Sequence, residues 1–278
     1  MKNCYNKKPK AHIEGIPIFS FPDFYIENYE KISEDHLKHF EKKGDNPFIN
    51  ESHWKEIESS TEILINRYVP EAGSKILDVG VGMGRLLERF PSMQRYGMDV
   101  SRGYLKHAKH KGINVCLSLI EDMPYRLNYF DAVVSTDVLE HVLDLNLAVK
   151  NILRVLKKDG ILIIRVPLEE DLSTYLDEDY PYDLVHLRTF DEASLRLLFE
   201  KIFNVSVLEI GLTGYRGGPL RIGSKLRIYN SLVNRFLRMV KFFSDNVYYS
   251  ISRFTCKPVE INVVIQNSPK KTTENVTE

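Results

Sequence analysis

Two rhythms of apolar residues alternate along this chain of 278 residues. Short, nearly continuous apolar runs predict strands over 75–80, 95–100, 114–119, 130–135, 160–166, 203–211 and 259–266. Between them, apolar positions three and four apart predict helices over 52–69, 84–90, 102–111, 145–158 and 191–202. Strands that alternate with helices call for a mostly parallel sheet with helices on both faces, an α/β architecture. The segments Phe203–Ile210 and Glu260–Gln266 have no ordinary crossover helix between them. They are expected to pair antiparallel and end a seven-stranded sheet. Residues 1–55 read as an amino-terminal extension and 56–212 as the core. A helical insertion at 213–258, a last core strand at 259–267 and a frayed polar tail at 268–278 complete the organisation.

The stretch Asp78-Val-Gly-Val-Gly-Met-Gly84 carries the most chemical information. It follows the strand Lys75-Ile-Leu77 and precedes the helical start Arg85-Leu-Leu87, so it reads as strand, tight loop, helix. Glycine permits such a turn and lets a ligand approach bare backbone. One βα unit later, Arg95-Tyr-Gly-Met-Asp99-Val-Ser101 ends a neighbouring strand in a carboxylate that can accept both hydroxyls of a ribose. A nucleoside ligand follows. In a dinucleotide fingerprint the third glycine would stand where Arg85 does, because here it comes one residue early, at Gly84. Asp78 entering the loop would also repel a pyrophosphate, whereas it suits the ammonium of a methionine moiety.

Further motifs follow in fixed order: Glu121-Asp-Met-Pro124, Phe130-Asp-Ala-Val-Val-Ser135, Thr136-Asp-Val-Leu-Glu-His-Val142 and Leu156-Lys-Lys-Asp-Gly160. Together with the glycine loop and Asp99, they resemble the class I S-adenosyl-L-methionine (SAM)-dependent methyltransferases, above all the small-molecule group with an LPF…FD.V…LEHV…LKPGG pattern. The resemblance spans roughly residues 60 to 212 and implies a Rossmann-like sheet with SAM as cofactor. It also implies that Asp78, Gly80 and Gly82 hold the methionine end, that Asp99 binds the ribose and that Val100 lies against the adenine. Ser135 would face the sulfonium side. Leu119 stands where the family often has an adenine-binding Asp, which leaves the backbone of Ile120, with Glu121 or Asp122, to meet the ring edge.

Composition fits one such core, with 43% hydrophobic and 27% charged residues. Cys4, Cys116 and Cys256 are far apart and lack C-x-x-C spacing, so neither a disulfide framework nor a zinc site is expected. His36 and His39 sit at helical spacing with no third ligand in view, and read as a solvated helix face. No metal site is therefore expected. The start of the chain lacks the apolar core of a signal peptide and no run is long enough to span a bilayer, which predicts a cytoplasmic protein.

Charge changes the picture between 213 and 258. Nine Lys and Arg residues there face one acid, Asp245, while the whole chain is neutral. Tyr229, Leu232, Val233, Phe236, Leu237, Val240, Phe243, Val247 and Ile251 form an apolar stripe, with Arg227, Arg235, Arg238 and Lys241 opposite. Such a helix over about 225–253 packs on the protein's own core, joins a homodimer, or lies peripherally on an anionic membrane.

Methyl transfer needs an aligned acceptor in a dry pocket and, for a hydroxyl acceptor, removal of a proton. Base candidates at the carboxyl ends of the fourth and fifth strands are Asp137, Glu140, His141 and His186. His186 leads, because it lies on the loop from Pro167 to Phe190 with Tyr175, Tyr180, Tyr182 and the acids Glu169 to Asp171. A small-molecule, glycan-linked or lipid-linked acceptor with oxygen as target is the expectation. Ser135-Thr-Asp-Val138 lacks the Asn-Pro-Pro-Tyr type signature of base-methylating enzymes, so nucleic acid is not the expected partner. The alternatives are an RNA-modifying methyltransferase that uses the basic insertion, and a non-catalytic nucleotide-binding subunit.

Overall fold

The computed structural model describes residues 4–44, 46–49, 51–69, 72–215, 227–244, 247–248, 250–251 and 256–270. Nine strands form one sheet: β1 (Ala11–Ile13), β2 (Ile16–Ile18), β3 (Lys75–Val79), β4 (Gln94–Asp99), β5 (Asn114–Leu117), β6 (Phe130–Thr136), β7 (Leu156–Pro167), β8 (Val205–Thr213) and β9 (Glu260–Pro269). Their spatial order is β1-β2-β5-β4-β3-β6-β7-β9-β8. The expected seven run from β5 to β8, parallel from β5 through β7, with β9 antiparallel to both β7 and β8.

The other two strands correct the expected count. They form a hairpin whose two loop residues, Glu14 and Gly15, both have positive φ, 51° and 71°, the backbone shape that joins twisted strands in two residues. Each hairpin strand is three residues long, too short to show an alternating pattern.

Central strands are buried on both faces, and successive residues feed opposite layers. Ile76, Val134, Ile163 and Val264 enter one apolar cluster, while Leu77, Val133, Ile164 and Val263 enter the other. That is why these runs read as continuous rather than alternating hydrophobic sequence.

The helices are α1 (Phe24–Lys43), α2 (Glu51–Tyr68), α3 (Arg85–Glu88), α4 (Arg102–His110), α5 (Leu145–Val155), α6 (Glu192–Arg196) and α7 (Arg227–Phe243). α1 starts at Asp23, whose side chain accepts the Ile26 N–H, and stops at Gly44 in the left-handed region. α5 ends three residues earlier than expected, since Leu156 already pairs with Phe130 as the first residue of β7. α6 continues as a π-helical stretch, Leu197–Ile202. β9 extends to Pro269, so Ser268 and Pro269 belong to the sheet rather than to a tail, and 271–278 lie outside the described residues.

The apolar stripe of α7 does not pack on the core as a whole. Leu237 is buried at 4% exposure, but Phe236 is 48% exposed and Phe243 is 78% exposed. Arg216, Arg221, Lys225, Asp245 and Arg253 of the insertion lie outside the described residues. Among the described residues no helix is long and apolar enough to cross a membrane.

Candidate functional site

The loop from Gly80 to Gly84 is held open by its glycines. All three have positive φ (76°, 50° and 74°). A Cβ on Gly80 would meet Val138 Cγ2 at 2.3 Å, and one on Gly84 would meet Ile113 Cδ1 at 2.6 Å. At Gly82 a Cβ would meet no protein atom within 4 Å, because this glycine faces a cavity of about 940 Å³. Gly82→Val is therefore expected to keep the fold at the cost of left-handed strain, about 1 to 2 kcal/mol, and to fill ligand space. Gly80→Ala should unfold at lower temperature than Gly82→Ala because of the Val138 contact. Thermal melts with and without SAM check both; a Gly82→Val protein with parental SAM affinity would contradict the assignment.

Asp99 closes the loop from below. Its Oδ2 accepts the Gly82 N–H and its Oδ1 the Ser101 N–H, each at 2.9 Å. Burial raises its carboxyl above the ordinary range, and the remaining lone pairs face a cavity that Asp99 and Val100 both line. Leu119 and Ile120 also reach the wall. The Ile120 carbonyl is already taken by Asn151 Nδ2 at 3.1 Å.

Two expected residues stand elsewhere. Asp78 and Ser135 are buried behind the wall, with Asp78 Oδ1 and Ser135 Oγ lacking hydrogen-bond partners among the described residues. Ser135 pairs with Val79 and Ile164 inside the sheet, one pleat short of the strand end. Asp137, just past the end of β6 with φ 56°, is the residue that reaches the cavity. Burial and the nearby Asp99 charge push the Asp78 carboxyl well above its usual range. An orphaned, desolvated carboxyl behind the loop is what a ligand ammonium would ionise, so the residues fit a SAM methionine end.

Arg85, at the dinucleotide glycine position, is turned away from the loop. Its guanidinium contacts Glu58 and Glu51 at 3.0 and 3.1 Å and lies 3.7 Å over Trp54. α3 is only four residues long. A pyrophosphate seat is not built here.

The extension supplies a wall of the cavity through Tyr25, Tyr29, His36 and Trp54. His36 corrects the expectation of a solvated face. It is 5% exposed, with Nδ1 against Tyr104 Oη at 2.5 Å and rings of Phe40, Phe48 and Trp54 around it. Burial lowers its pKa to about 4. The unfolded chain then binds more protons between pH 4 and about 6.5, so this residue removes stability as pH falls through that window, by up to roughly 3 kcal/mol. Urea melts of the protein and of His36→Phe should diverge in the variant's favour on acidification. A pH-independent difference would contradict a neutral buried imidazole.

At the other end of the cavity, β6 and β7 and the loop after β7 bring the base candidates together. His141 and His186 have ring centroids 4.5 Å apart. His186 Nδ1 bonds Glu170 Oε2, and Tyr175 donates to Glu170 Oε1 at 2.7 Å. These two bonds outweigh burial and hold the Glu170 carboxyl below its usual range. His141 Nδ1 lies 3.0 Å from the Val185 carbonyl, and burial lowers the imidazole's pKa to about 4. Asp137 is committed to an ion pair with Arg165, which is itself 2% exposed and also contacts Thr61 Oγ1 at 3.3 Å. Glu140 is 1% exposed with neither carboxyl oxygen hydrogen-bonded among the described residues, and burial raises its pKa well above normal.

Sequence reasoning placed Glu170 on the His186 loop without pairing the two, and missed Arg165 and Glu260 as parts of this site. Arg165 had a signal, a lone charge inside the apolar run Ile161–Val166; a buried cation in a central strand needs carboxylates nearby.

Comparison with known proteins agrees with this geometry. Residues 77–164 match the methyltransferase domain family. A tRNA (carboxymethyluridine(34)-5-O)-methyltransferase of Arabidopsis thaliana is 35% identical over 108 residues, 38% of this chain and 27% of that protein. The mitochondrial ubiquinone biosynthesis O-methyltransferase of Bos taurus is 36% identical over 116 residues, 37% of this chain and 31% of that one. The chain thus spans about a third or less of the length of these two relatives. In fold, it is similar to the methyltransferase in a complex with the Haloferax volcanii Trm112 methyltransferase activator, with TM-score 0.58 and 16% identity over 89% of this chain and 99% of that one. Glycine loop, strand order and family match agree: residues 77–164 form a SAM-dependent methyltransferase domain, with S-adenosyl-L-methionine as its cofactor.

Proposed function

We propose that this protein transfers the methyl group of SAM to a hydroxyl of a small-molecule, glycan-linked or lipid-linked acceptor. One observation carries the reading: a single cavity joins the glycine loop and Asp99 at one end to the His186–Glu170 pair at the other. When bound, SAM supplies a methyl group on a sulfonium. The chain's own residues do the rest. Gly80, Gly82, Asp99 and Val100 bind the nucleoside and methionine parts, and Asp78 lies behind them as an ammonium counter-charge. Leu119 and Ile120 flank the adenine, and Ser135 supports the loop from within the sheet.

His186 is the base. A carboxylate only accepts, so its bond to Glu170 fixes the proton on Nδ1 and leaves a lone pair on Nε2 for an acceptor hydroxyl. Glu170 then stabilises the imidazolium, as the carboxylate of a catalytic triad does. His141, tied to Val185, and Asp137, tied to Arg165, position this end rather than take the proton. The aromatic walls limit contact with water, which strengthens each charge interaction.

The test is isothermal titration with SAM, followed by a screen of acceptors with labelled methyl donor. Micromolar SAM binding and label in a hydroxylated acceptor support the reading. SAM binding with label only in RNA would replace it with the RNA-modifying alternative, and no SAM binding would favour a non-catalytic subunit.

α7 is the proposed docking element, as its exposed Phe236 and Phe243 leave an apolar face uncovered by the described residues. On an anionic surface, Arg235→Gln with Arg238→Gln and Lys241→Gln should reduce vesicle association, at about 1 kcal/mol per charge. Absence of vesicle binding by the parent would turn attention to a homodimer, which Phe236→Asp should split.

A further inference from the structure

Glu140, His141 and His186 each offer one ligand atom, and these atoms lie within 4.8 Å of one another. In both histidines the free nitrogen is Nε2. His141 Nδ1 faces the Val185 carbonyl and the Tyr29 hydroxyl, each at 3.0 Å, and His186 Nδ1 faces Glu170. A carbonyl and a carboxylate accept only, so both imidazoles carry their proton on Nδ1 and present a lone pair at Nε2. His141 Nε2 lies 3.9 Å from Glu140 Oε1. Glu140 is buried, at 1% exposure, and among the described residues neither of its oxygens has a hydrogen-bond partner. Two lone pairs and a buried carboxyl thus converge within 4.8 Å of one another. Uncompensated, that arrangement is costly.

We propose that Glu140, His141 and His186 bind a divalent transition-metal ion at the acceptor end of the cavity. Both histidines already have the outer partners that orient metal-bound imidazoles, a backbone carbonyl for one and a carboxylate for the other. With each ligand about 2.1 Å from an ion, the donor atoms would draw in to roughly 3 to 4 Å apart, a contraction of at most about 1 to 2 Å at the widest pair. Two imidazoles and one carboxylate select zinc, cobalt, iron or manganese over magnesium or calcium, which prefer oxygen donors. Three protein ligands leave positions open toward the cavity.

The inference deepens the proposed acceptor chemistry and rests on that reading only in what it implies for catalysis. An ion ligating the acceptor oxygen would lower the pKa of its hydroxyl. It would then take the place of His186, with the hydroxyl proton released to water through the open side of the cavity, since the Nε2 lone pair cannot serve both.

Cobalt(II) is the probe, because its visible absorption reports nitrogen ligation. Titration of the whole protein with Co²⁺, monitored by absorbance, is expected to saturate at one ion per chain. Glu140→Gln, which keeps the shape, and His186→Ala should each weaken binding at least tenfold, whereas His39→Ala should not. Millimolar Mg²⁺ should not displace the ion. Circular dichroism and SAM titration run on the same samples. No saturable Co²⁺ binding by the parent, or binding undiminished in both site variants, overturns the proposal; if SAM still binds, the methyltransferase reading is untouched. Co²⁺ binding without SAM binding overturns the methyltransferase reading alone.

Discussion

Asp99→Ala is expected to weaken SAM binding at least tenfold while the protein stays folded. The carboxylate has two roles that fall together. It holds the Gly82 and Ser101 amides, and it offers its remaining lone pairs to the ribose hydroxyls. Hydrogen bonds to a charged group contribute about 1.5 to 3 kcal/mol each, and 1.4 kcal/mol already corresponds to tenfold. Asp99→Asn keeps one acceptor oxygen and should lose less. Isothermal titration separates the cases, and a folded Ala variant with unchanged affinity would remove Asp99 from the nucleoside site.

His186→Ala should lower kcat by about 10² to 10⁴, the usual contribution of a positioned base, with SAM affinity unchanged. Glu170→Gln should fall between parent and His186→Ala, because Gln can still orient the ring but cannot neutralise the imidazolium. Single-turnover transfer from labelled SAM measures both. Should kcat in His186→Ala equal that of the parent, the base role would be lost, and any ion held there would have no part in the transfer.

What the sequence revealed depended on how local each feature is. The glycine loop and Asp99 are fixed by backbone needs that leave a residue-by-residue trace: positive φ at Gly80, Gly82 and Gly84, and a carboxylate at the end of β4. The strand positions followed from continuous apolar runs. The acceptor end was only half legible. Glu140-His141 and His186 were each visible as candidates, but their convergence depends on Leu187 N–H bonding the Glu140 carbonyl and on the Val185 carbonyl meeting His141, contacts between a strand-end turn and a distant loop. No spacing rule predicts such a pairing, and so a metal site was not expected. Ser135 shows the reverse error: a one-residue difference in strand end puts it inside the sheet and Asp137 on the wall. α1 was missed although its capping is strong, because its apolar residues serve a cavity rather than a continuous core.

The hairpin β1–β2 has an effect remote from chemistry. Ile18 pairs with Leu117, so β5 is an interior strand and its amides and carbonyls are not offered to solvent along that side. The border of the sheet moves to β1, three residues next to Lys10, too short to template another extended chain. Tyr5 reinforces the join by stacking on Tyr125, as do backbone bonds from Asn6 to Pro124 and from Arg126 to Cys4. A fragment trimmed to begin at α1 would keep the glycine loop, Asp99 and the histidines, yet lay bare a buried-type strand and invite edge-to-edge aggregation. The smallest well-behaved unit of this protein therefore starts ahead of β1.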